Sequence, residues 1–169
     1  ELDALTYSLS GASSVAEGGT ATYSIAIGGS EILVGESVTI DLATADGVAI
    51  ATATEGVDYN SIDGTLTING PLSEGDSVDF SVITIDDALV EGDEAFTVSI
   101  ANPSNGAVVG GSDSVETTIT DASDLDALTY SLSGASSVAE GGTATYSIAI
   151  GGSEILAGES VTIDLATAD

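Results

Sequence analysis

The segment Thr84–Glu94 has an unusual density of acidic side chains. Its sequence, TIDDALVEGDE, carries five carboxylates in eleven residues, and the whole chain contains no Lys, Arg or His. Two like charges about 4 Å apart repel by roughly 1 kcal/mol in water and by about 4 kcal/mol at the effective dielectric near a protein surface. Since no salt bridge between side chains of this chain can offset the repulsion, we expect a cation from solution to neutralise the cluster.

The available ligand atoms favour calcium over other cations. The chain has no Cys and no His, which are the ligands that zinc and other borderline or soft metals prefer. Calcium accepts about 6 to 8 oxygen ligands in flexible geometry, which suits carboxylates from separate loops, whereas magnesium requires a tight octahedron and retains its waters. The residue types therefore predict a Ca²⁺ site.

The composition of the chain argues against several classes of function. Its 169 residues carry a net charge of -28, which argues against nucleic acid and anionic membranes as partners. The 43% hydrophobic content predicts a folded chain, and we expect neither a signal peptide nor a membrane-spanning run within these residues. Without His, Cys or Trp there is no triad, no thiol nucleophile and little to line a glycan-cleaving cleft, so we expect no enzymatic activity.

A long internal repeat organises the sequence, which we expect to be part of a longer chain. Residues Leu2–Asp46 return at Leu125–Asp169 with one substitution, Val to Ala. The period of 123 residues predicts one complete domain over residues 1–122, followed by the first three strands of an incomplete second copy over residues 123–169. Near-identical copies indicate a tandem array, and such arrays commonly provide reach or spacing.

Apolar residues alternate with small or polar ones along most of the chain, as they do in half-buried strands. Turn signals rich in Gly, Asn, Asp and Pro separate the alternating segments. Seven such segments fit into the first 122 residues: Leu5–Leu9, Tyr23–Ile27, Val38–Leu42, Leu66–Ile68, Val78–Val82, Phe96–Ile100 and Val115–Ile119. They predict an all-β fold, a seven-stranded antiparallel sandwich of the immunoglobulin type.

This architecture would bring distant acidic segments to one end of the sandwich, because alternate turns fall at the same pole. Glu17 lies in the first of these turns, and Asp46 follows the third strand. Asp86–Glu94 connects the fifth and sixth strands, and Asp121 ends the seventh. We therefore expect four acidic segments to converge at one pole, while the acids of the opposite pole are more scattered.

Several motifs together resemble the Calx-beta domain, a module of sodium/calcium exchanger regulatory loops and of many bacterial surface proteins. The resemblance covers residues 1–122, and its segments are LATADG, GVDYNSIDGTLTI, ITIDDALVEGDEAFTVSI, the following NP, and TTITD. Residues 123–169 match only the first three strands of the family. The resemblance implies a β-sandwich that binds calcium at one pole.

The resemblance also implies a set of calcium ligands, seven of them through carboxylates and one through a backbone carbonyl. The positions that match the family's ligand motifs are Glu17, Asp46, Asp86, Asp87, Leu89, Glu91, Glu94 and Asp121. The best calcium-binding members carry a run of aspartates after the last strand, whereas this chain reads DASD. Because Ala122 and Ser123 replace two acids of that run, we expect one or two ions rather than four.

Other interpretations of the acids stay open at this point. Acidic loops at sandwich poles are often only solvated surface, and a protein from a saline habitat carries acids everywhere. Asp58, in the segment VDYN, is interpreted as a turn cap, with Tyr59 as a core or corner residue.

The predicted function is structural. We expect a calcium-binding spacer repeat of a long extracellular bacterial adhesin or surface protein, stiffened by Ca²⁺ at one pole and at the junction DASDLD. Neighbouring repeats of the same chain are the expected partners, and residues 124–169 are expected to be either disordered or completed by strand exchange with another chain. The alternatives are a calcium-sensing regulatory module and a glycan- or protein-binding module.

Overall fold

The structure, a computed structural model, describes residues 4–48, 51–86, 91–121, 128–152, 155 and 160–168. These residues belong to two compact units, one that ends at Asp121 and one that holds the described residues from 128 onward. No helix long and apolar enough to cross a membrane occurs among them. The described residues of the first unit form ten strands: β1 (Thr6–Gly11), β2 (Ser14–Ala16), β3 (Thr20–Gly28), β4 (Ser37–Asp46), β5 (Ala51–Thr52), β6 (Gly64–Asn69), β7 (Ser77–Ile83), β8 (Glu94–Ala101), β9 (Val108–Val109) and β10 (Ser114–Thr120).

The strands of the first unit form two sheets. One sheet has the order β7-β3-β1-β9, and the other has the order β2-β10-β8-β4-β6 with β5 beside β8. The long strands pair antiparallel, as β1 does with β3 and β4 with β8. The short strands β9, β2 and β5 add parallel pairings to β1, β10 and β8. The predicted all-β sandwich is confirmed, although its pairing is not purely antiparallel.

The strand count differs from the prediction. Each of the seven predicted segments contributes to a strand of six residues or more, but three further strands of two or three residues are present. Pairings this short carry no alternating pattern that a sequence could reveal. These short strands form where a connecting segment lies beside a longer strand. Their positions therefore depend on the assembled sheets.

Alternating residues of the two sheets form one core. Tyr23, Ile25 and Ile27 of β3 are at most 2% exposed, and they share a buried cluster with Ile40 of β4 and Val98 of β8. This arrangement follows from the period of two, because every second side chain of a strand faces the same side of its sheet.

A buried hydrogen bond also links the two sheets. The hydroxyl of Tyr23, on β3, bonds to Oγ1 of Thr117, on β10, and Thr117 Oγ1 donates to the carbonyl of Ala12 at 2.7 Å. Thr117 therefore accepts the hydrogen bond from Tyr23. Both polar groups are satisfied inside the core, as buried polar groups usually are.

The second unit contains a hairpin of β11 (Thr129–Gly134) and β12 (Tyr146–Gly151), which pair antiparallel. Residues 160–168, where the third strand of the second copy is predicted, form no strand. Their counterparts in the first unit lie in β4, which pairs with β6 and β8. Residues 125–169 include no counterpart of β6 or β8, and residues 160–168 pair with no strand among the described residues.

Candidate metal centre

A tight turn between β5 and β6 holds the carboxylate of Asp58. The amides of Val57 and Asp58 donate to the carbonyl of Thr54 at 3.1 and 2.9 Å, and the amide of Thr54 donates to Asp58 Oδ2 at 2.5 Å. Asp58 therefore caps its own turn, as its sequence context predicts. The side chain is only 8% exposed, and the Asp58 carbonyl accepts the amide of Ile85 at 2.9 Å, which ties the turn to the chain that leads into the acidic segment.

Glu91 and Glu94 stand at the entry to β8. Glu94 is the first residue of that strand and is half-buried, whereas Glu91 is exposed. Asp121 fixes this entry, because its Oδ2 accepts the amides of Glu91 and Gly92, each at 3.1 Å. Asp121 directly follows β10, which pairs with β8 so that Ile119 lies opposite Glu94. Pairing of these two strands thus brings acids from distant parts of the sequence together.

Asp58, Glu91 and Glu94 form the acidic group of this region. Each offers one carboxylate oxygen, and the three oxygens lie within 4.8 Å of one another. They line a pocket of about 10 Å³ together with Glu17 and Asp121, which is roughly the space that one water-sized particle requires. Two unit charges about 5 Å apart repel by roughly 3 kcal/mol at an effective dielectric of ~20. Because the chain contains no Lys, Arg or His, no side chain of opposite charge can relieve that repulsion, whereas a cation from solution can.

The turn between β2 and β3 supplies Glu17. Its amide donates to the carbonyl of Thr120 at 3.1 Å, and Thr84 Oγ1 donates to the carbonyl of Ala16, the last residue of β2, at 2.9 Å. Asp86 lies beside this turn: Gly18 has a φ of +66°, and a Cβ there would stand 2.8 Å from the Cβ of Asp86. Glycine at this position therefore permits both the left-handed turn and the close approach of Asp86.

Asp46, the last residue of β4, has a different environment. Its Oδ1 accepts a hydrogen bond from the hydroxyl of Tyr59 at 3.1 Å. Tyr59 is fully buried and stacks on Phe96 with ring centroids 4.7 Å apart. Burial raises the pKa of Tyr59, and the hydrogen bond to Asp46 and the nearby carboxylates of Asp46, Glu55 and Asp63 raise this pKa further. The hydroxyl consequently stays protonated and is the donor in this bond.

The structure brings together part of the predicted ligand set. Glu91 and Glu94 belong to the acidic group, Glu17 and Asp121 line the same pocket, and Asp86 lies beside the turn that carries Glu17. Asp46 is not in the group that the described residues form. Asp87 and Leu89 lie outside the described residues. The assignment of all eight as ligands stays a prediction.

Asp58 is the member of the acidic group that the sequence did not assign to the site. A signal was available, because Asp58 precedes Tyr59 in the segment GVDYNSIDGTLTI, which is one of the motifs that carry the resemblance. A large aromatic residue directly after a turn anchors that turn in the core. The adjacent carboxylate is then held at the rim of the core, where a half-buried site can form.

Comparisons with known proteins agree with this fold. The Calx-beta domain family matches residues 10–123, and a bacterial Ig domain family matches residues 97–165. The Apo-form Calx CBD1 domain is similar in structure, with a TM-score of 0.55 and 21% identity over 69% of this chain and 97% of that one. The calcium binding domain CBD12 of CALX1.1 has a TM-score of 0.57 and 23% identity over 68% of this chain and 44% of that one. The curated proteins gave no match.

Proposed function

Because the chain belongs to the Calx-beta domain family, whose domains are calcium-binding β-sandwich modules, we propose that its first unit binds Ca²⁺ at the acidic group. The observation that carries this proposal is the convergence of Asp58, Glu91 and Glu94, whose oxygens lie within 4.8 Å of one another. Glu17 and Asp121 line the same pocket and are further oxygen donors. An all-oxygen set from separate loops suits calcium, which accepts about 6 to 8 such ligands in flexible geometry.

The test is thermal unfolding of the chain in chelator, in calcium and in an equal concentration of magnesium. Calcium at about 100 times its dissociation constant stabilises the folded state by about 2.7 kcal/mol per site. For a unit of this size, the midpoint should rise by on the order of 10 °C. The rise should be much smaller in magnesium, because magnesium requires tighter octahedral geometry.

Two substitutions test whether the calcium-specific rise in the midpoint comes from the acidic group. Asp58→Asn keeps an oxygen that can accept the Thr54 amide, and Glu91→Gln changes an exposed side chain, so both variants should fold and lose most of the calcium-specific rise. Asp79→Asn removes the same charge from an exposed position on β7 and should keep the rise. Equal rises in both metals that no variant alters would mean general screening of the charge, and would overturn the proposal.

We further propose that this calcium-binding unit serves as a structural spacer in a repetitive extracellular surface protein, such as an adhesin. The repeat of Leu2–Asp46 at Leu125–Asp169 supports a tandem array, in which neighbouring repeats are the partners. Extracellular modules bind calcium with dissociation constants of about 0.1 to 1 mM, which suffices outside cells. Calcium would neutralise the acids of the pole and restrict motion at the junction between repeats.

Spin labels can test the spacer proposal, since the chain has no Cys that would compete for labelling. Ser73→Cys and Ser131→Cys place one label on an exposed position of each unit. The distribution of label distances should be narrower in calcium than in chelator. The same width in both conditions would contradict a stiffening role while leaving calcium binding intact.

Strand exchange between chains is a further part of this proposal. The second copy repeats the sequence of β1, β3 and β4, so it could replace those strands in another chain. Strand exchange replaces contacts within one chain by identical contacts between two chains, so it gains no contact energy, and association costs entropy. Exchange should therefore occur only at high protein concentration. Light scattering that gives the mass of one chain at every concentration would contradict it.

Glycan recognition has less support than the spacer. The five aromatic residues of the first unit are buried or half-buried: Tyr7, Tyr23, Tyr59, Phe80 and Phe96. The described part of this unit therefore has no exposed aromatic platform on which a sugar ring could stack.

A further inference from the structure

Tyr59 connects the turn that carries Asp58, strand β8 and the end of β4. Its ring is fully buried against Phe96 of β8, two residues after Glu94. Its hydroxyl donates to Asp46 at the end of β4. In the sequence Tyr59 directly follows Asp58. The Tyr59 side chain therefore links the turn that carries Asp58 to both β8 and β4.

The backbone around Tyr59 is held on both sides. The amide of Gly56 donates to the Tyr59 carbonyl at 2.8 Å, and the amide of Asn60 donates to the Ile83 carbonyl at 3.0 Å. Tyr59 also forms an isolated bridge to Thr84, the residue whose hydroxyl holds the turn that carries Glu17. Tyr59 thus lies between the turn that presents Asp58 and Thr84, which is bonded to the segment that carries Glu17.

Asp46 differs from the residues of the acidic group in what it contacts. Asp58, Glu91 and Glu94 have oxygens within 4.8 Å of one another, and Asp46 is not in that group among the described residues. Its Oδ1 instead accepts the Tyr59 hydroxyl. Across the sheet, Asp46 pairs with Phe96, so the acceptor and the stacking partner of Tyr59 are neighbours on adjacent strands.

We propose that Tyr59 is a positioning residue of the calcium site and that Asp46 acts through the Tyr59 hydroxyl rather than as a ligand. The inference rests on the proposed calcium site. The stack and the hydrogen bond fix the ring at two points, and the ring fixes the turn that presents Asp58 to Glu94. Residues that orient a ligand in this way affect metal affinity without touching the metal.

Calcium titration calorimetry of the full chain and its variants tests this assignment. Tyr59→Phe keeps the ring and its stack but removes the hydroxyl, and Asp46→Ala removes the acceptor. Each should weaken calcium binding by about tenfold, the lower end of the range for residues that orient metal ligands. The double variant should bind no more weakly than either single one, because both substitutions break the same bond.

Asp46→Asn separates the two roles of Asp46. The amide oxygen can still accept the tyrosine hydroxyl, so a positioning role predicts near-normal calcium affinity. Glu55→Gln is the matched control for the lost charge, since Glu55 is exposed and its charge acts on the same tyrosine. Affinity in Asp46→Asn should fall no further than in Glu55→Gln. Unfolding in chelator shows that each variant is folded before its affinity is compared.

The outcomes separate this inference from the proposed function. A wild-type chain that does not bind calcium would overturn both. A wild-type chain that binds calcium, together with a loss of tenfold or more in Asp46→Asn beyond the control, would identify Asp46 as a ligand and overturn the positioning role alone. Losses of calcium affinity from Tyr59→Phe and Asp46→Ala that add in the double variant would also overturn the positioning role.

Discussion

Two hairpins of this chain have the same sequence and the same register but different surroundings. In the first unit Thr6 pairs with Gly28 and Gly11 with Tyr23, and in the second unit Thr129 pairs with Gly151 and Gly134 with Tyr146. The large apolar side chains of the first hairpin are at most 2% exposed, whereas the corresponding side chains of the second are 38% to 67% exposed. The hairpin is therefore specified by its own sequence, while its burial depends on the opposite sheet.

The sequence of β4 also occurs twice, but its two copies differ in secondary structure. Residues 37–45 lie in β4, paired on both sides, whereas residues 160–168 have the same sequence and form no strand. β4 pairs with β6 and β8, which come later in the chain and have no counterpart within residues 125–169. β4 thus requires partners distant in sequence, whereas the hairpin contains both of its strands.

The largest expected difference between the two hairpins comes from removing the same side chain in each. Ile25→Ala empties a position with 0% exposure and should lower the free energy of unfolding of the first unit by roughly 2 to 5 kcal/mol. Ile148→Ala, at the corresponding position, removes a side chain that is 38% exposed. It should change the free energy of unfolding by less than about 0.5 kcal/mol. Urea unfolding at low micromolar concentration measures both.

Protein concentration provides the control for this pair. If the second hairpin replaces the first in another chain, the two substitutions should become more alike as concentration rises. Equal losses at low concentration would contradict the difference in burial and would mean that the second hairpin is packed into a core.

Glycine substitutions test how much freedom the neighbouring tyrosine has. A Cβ at Gly11 would overlap the ring of Tyr23, and a Cβ at Gly134 would overlap the ring of Tyr146 in the same way. Tyr23 is fully buried and cannot turn away, so Gly11→Ala should destabilise the first unit by about 1 to 3 kcal/mol. Tyr146 is 60% exposed and can rotate, so Gly134→Ala should be tolerated.

The measurement for the glycine pair is thermal unfolding of each variant in calcium. Ser10→Ala is the control, because it changes an exposed side chain on the same strand. A midpoint for Gly11→Ala that equals the wild-type value would show that the core around Tyr23 can rearrange.

These comparisons explain which parts of the fold the sequence could predict. The alternating pattern located all seven long strands, because period two follows from burial of one face. It failed for residues 160–168, where the same pattern is present but no paired strand occurs among the described residues. A pattern indicates what a segment can form, and the partner strands decide whether it does.

The residues of the candidate site were likewise only partly predictable from the sequence. Glu91, Glu94 and Asp121 were predictable, because the order of strands brings the ends of neighbouring connections together. The roles of Asp46 and Asp58 were not distinguished, because Asp46 ends β4 within a motif of the resemblance and Asp58, although it precedes Tyr59, was interpreted only as a turn cap. Which carboxylate faces the pocket depends on the stack of Tyr59 on Phe96, a contact between residues far apart in the sequence.

The smallest expected difference concerns one hydroxyl. Tyr23 bonds to Thr117 of the opposite sheet, so Tyr23→Phe removes a buried link and should cost about 1 kcal/mol. Tyr146→Phe removes the corresponding hydroxyl from a side chain that is 60% exposed, and its effect should be close to zero. The double variant Tyr23→Phe/Thr117→Val, measured by urea unfolding, tests whether the loss belongs to this bond, because the second substitution should then cost less in the absence of the hydroxyl. Equal effects of the two tyrosine substitutions would mean that the cost arises in the unfolded chain, and the hydrogen bond between the sheets would then contribute nothing measurable.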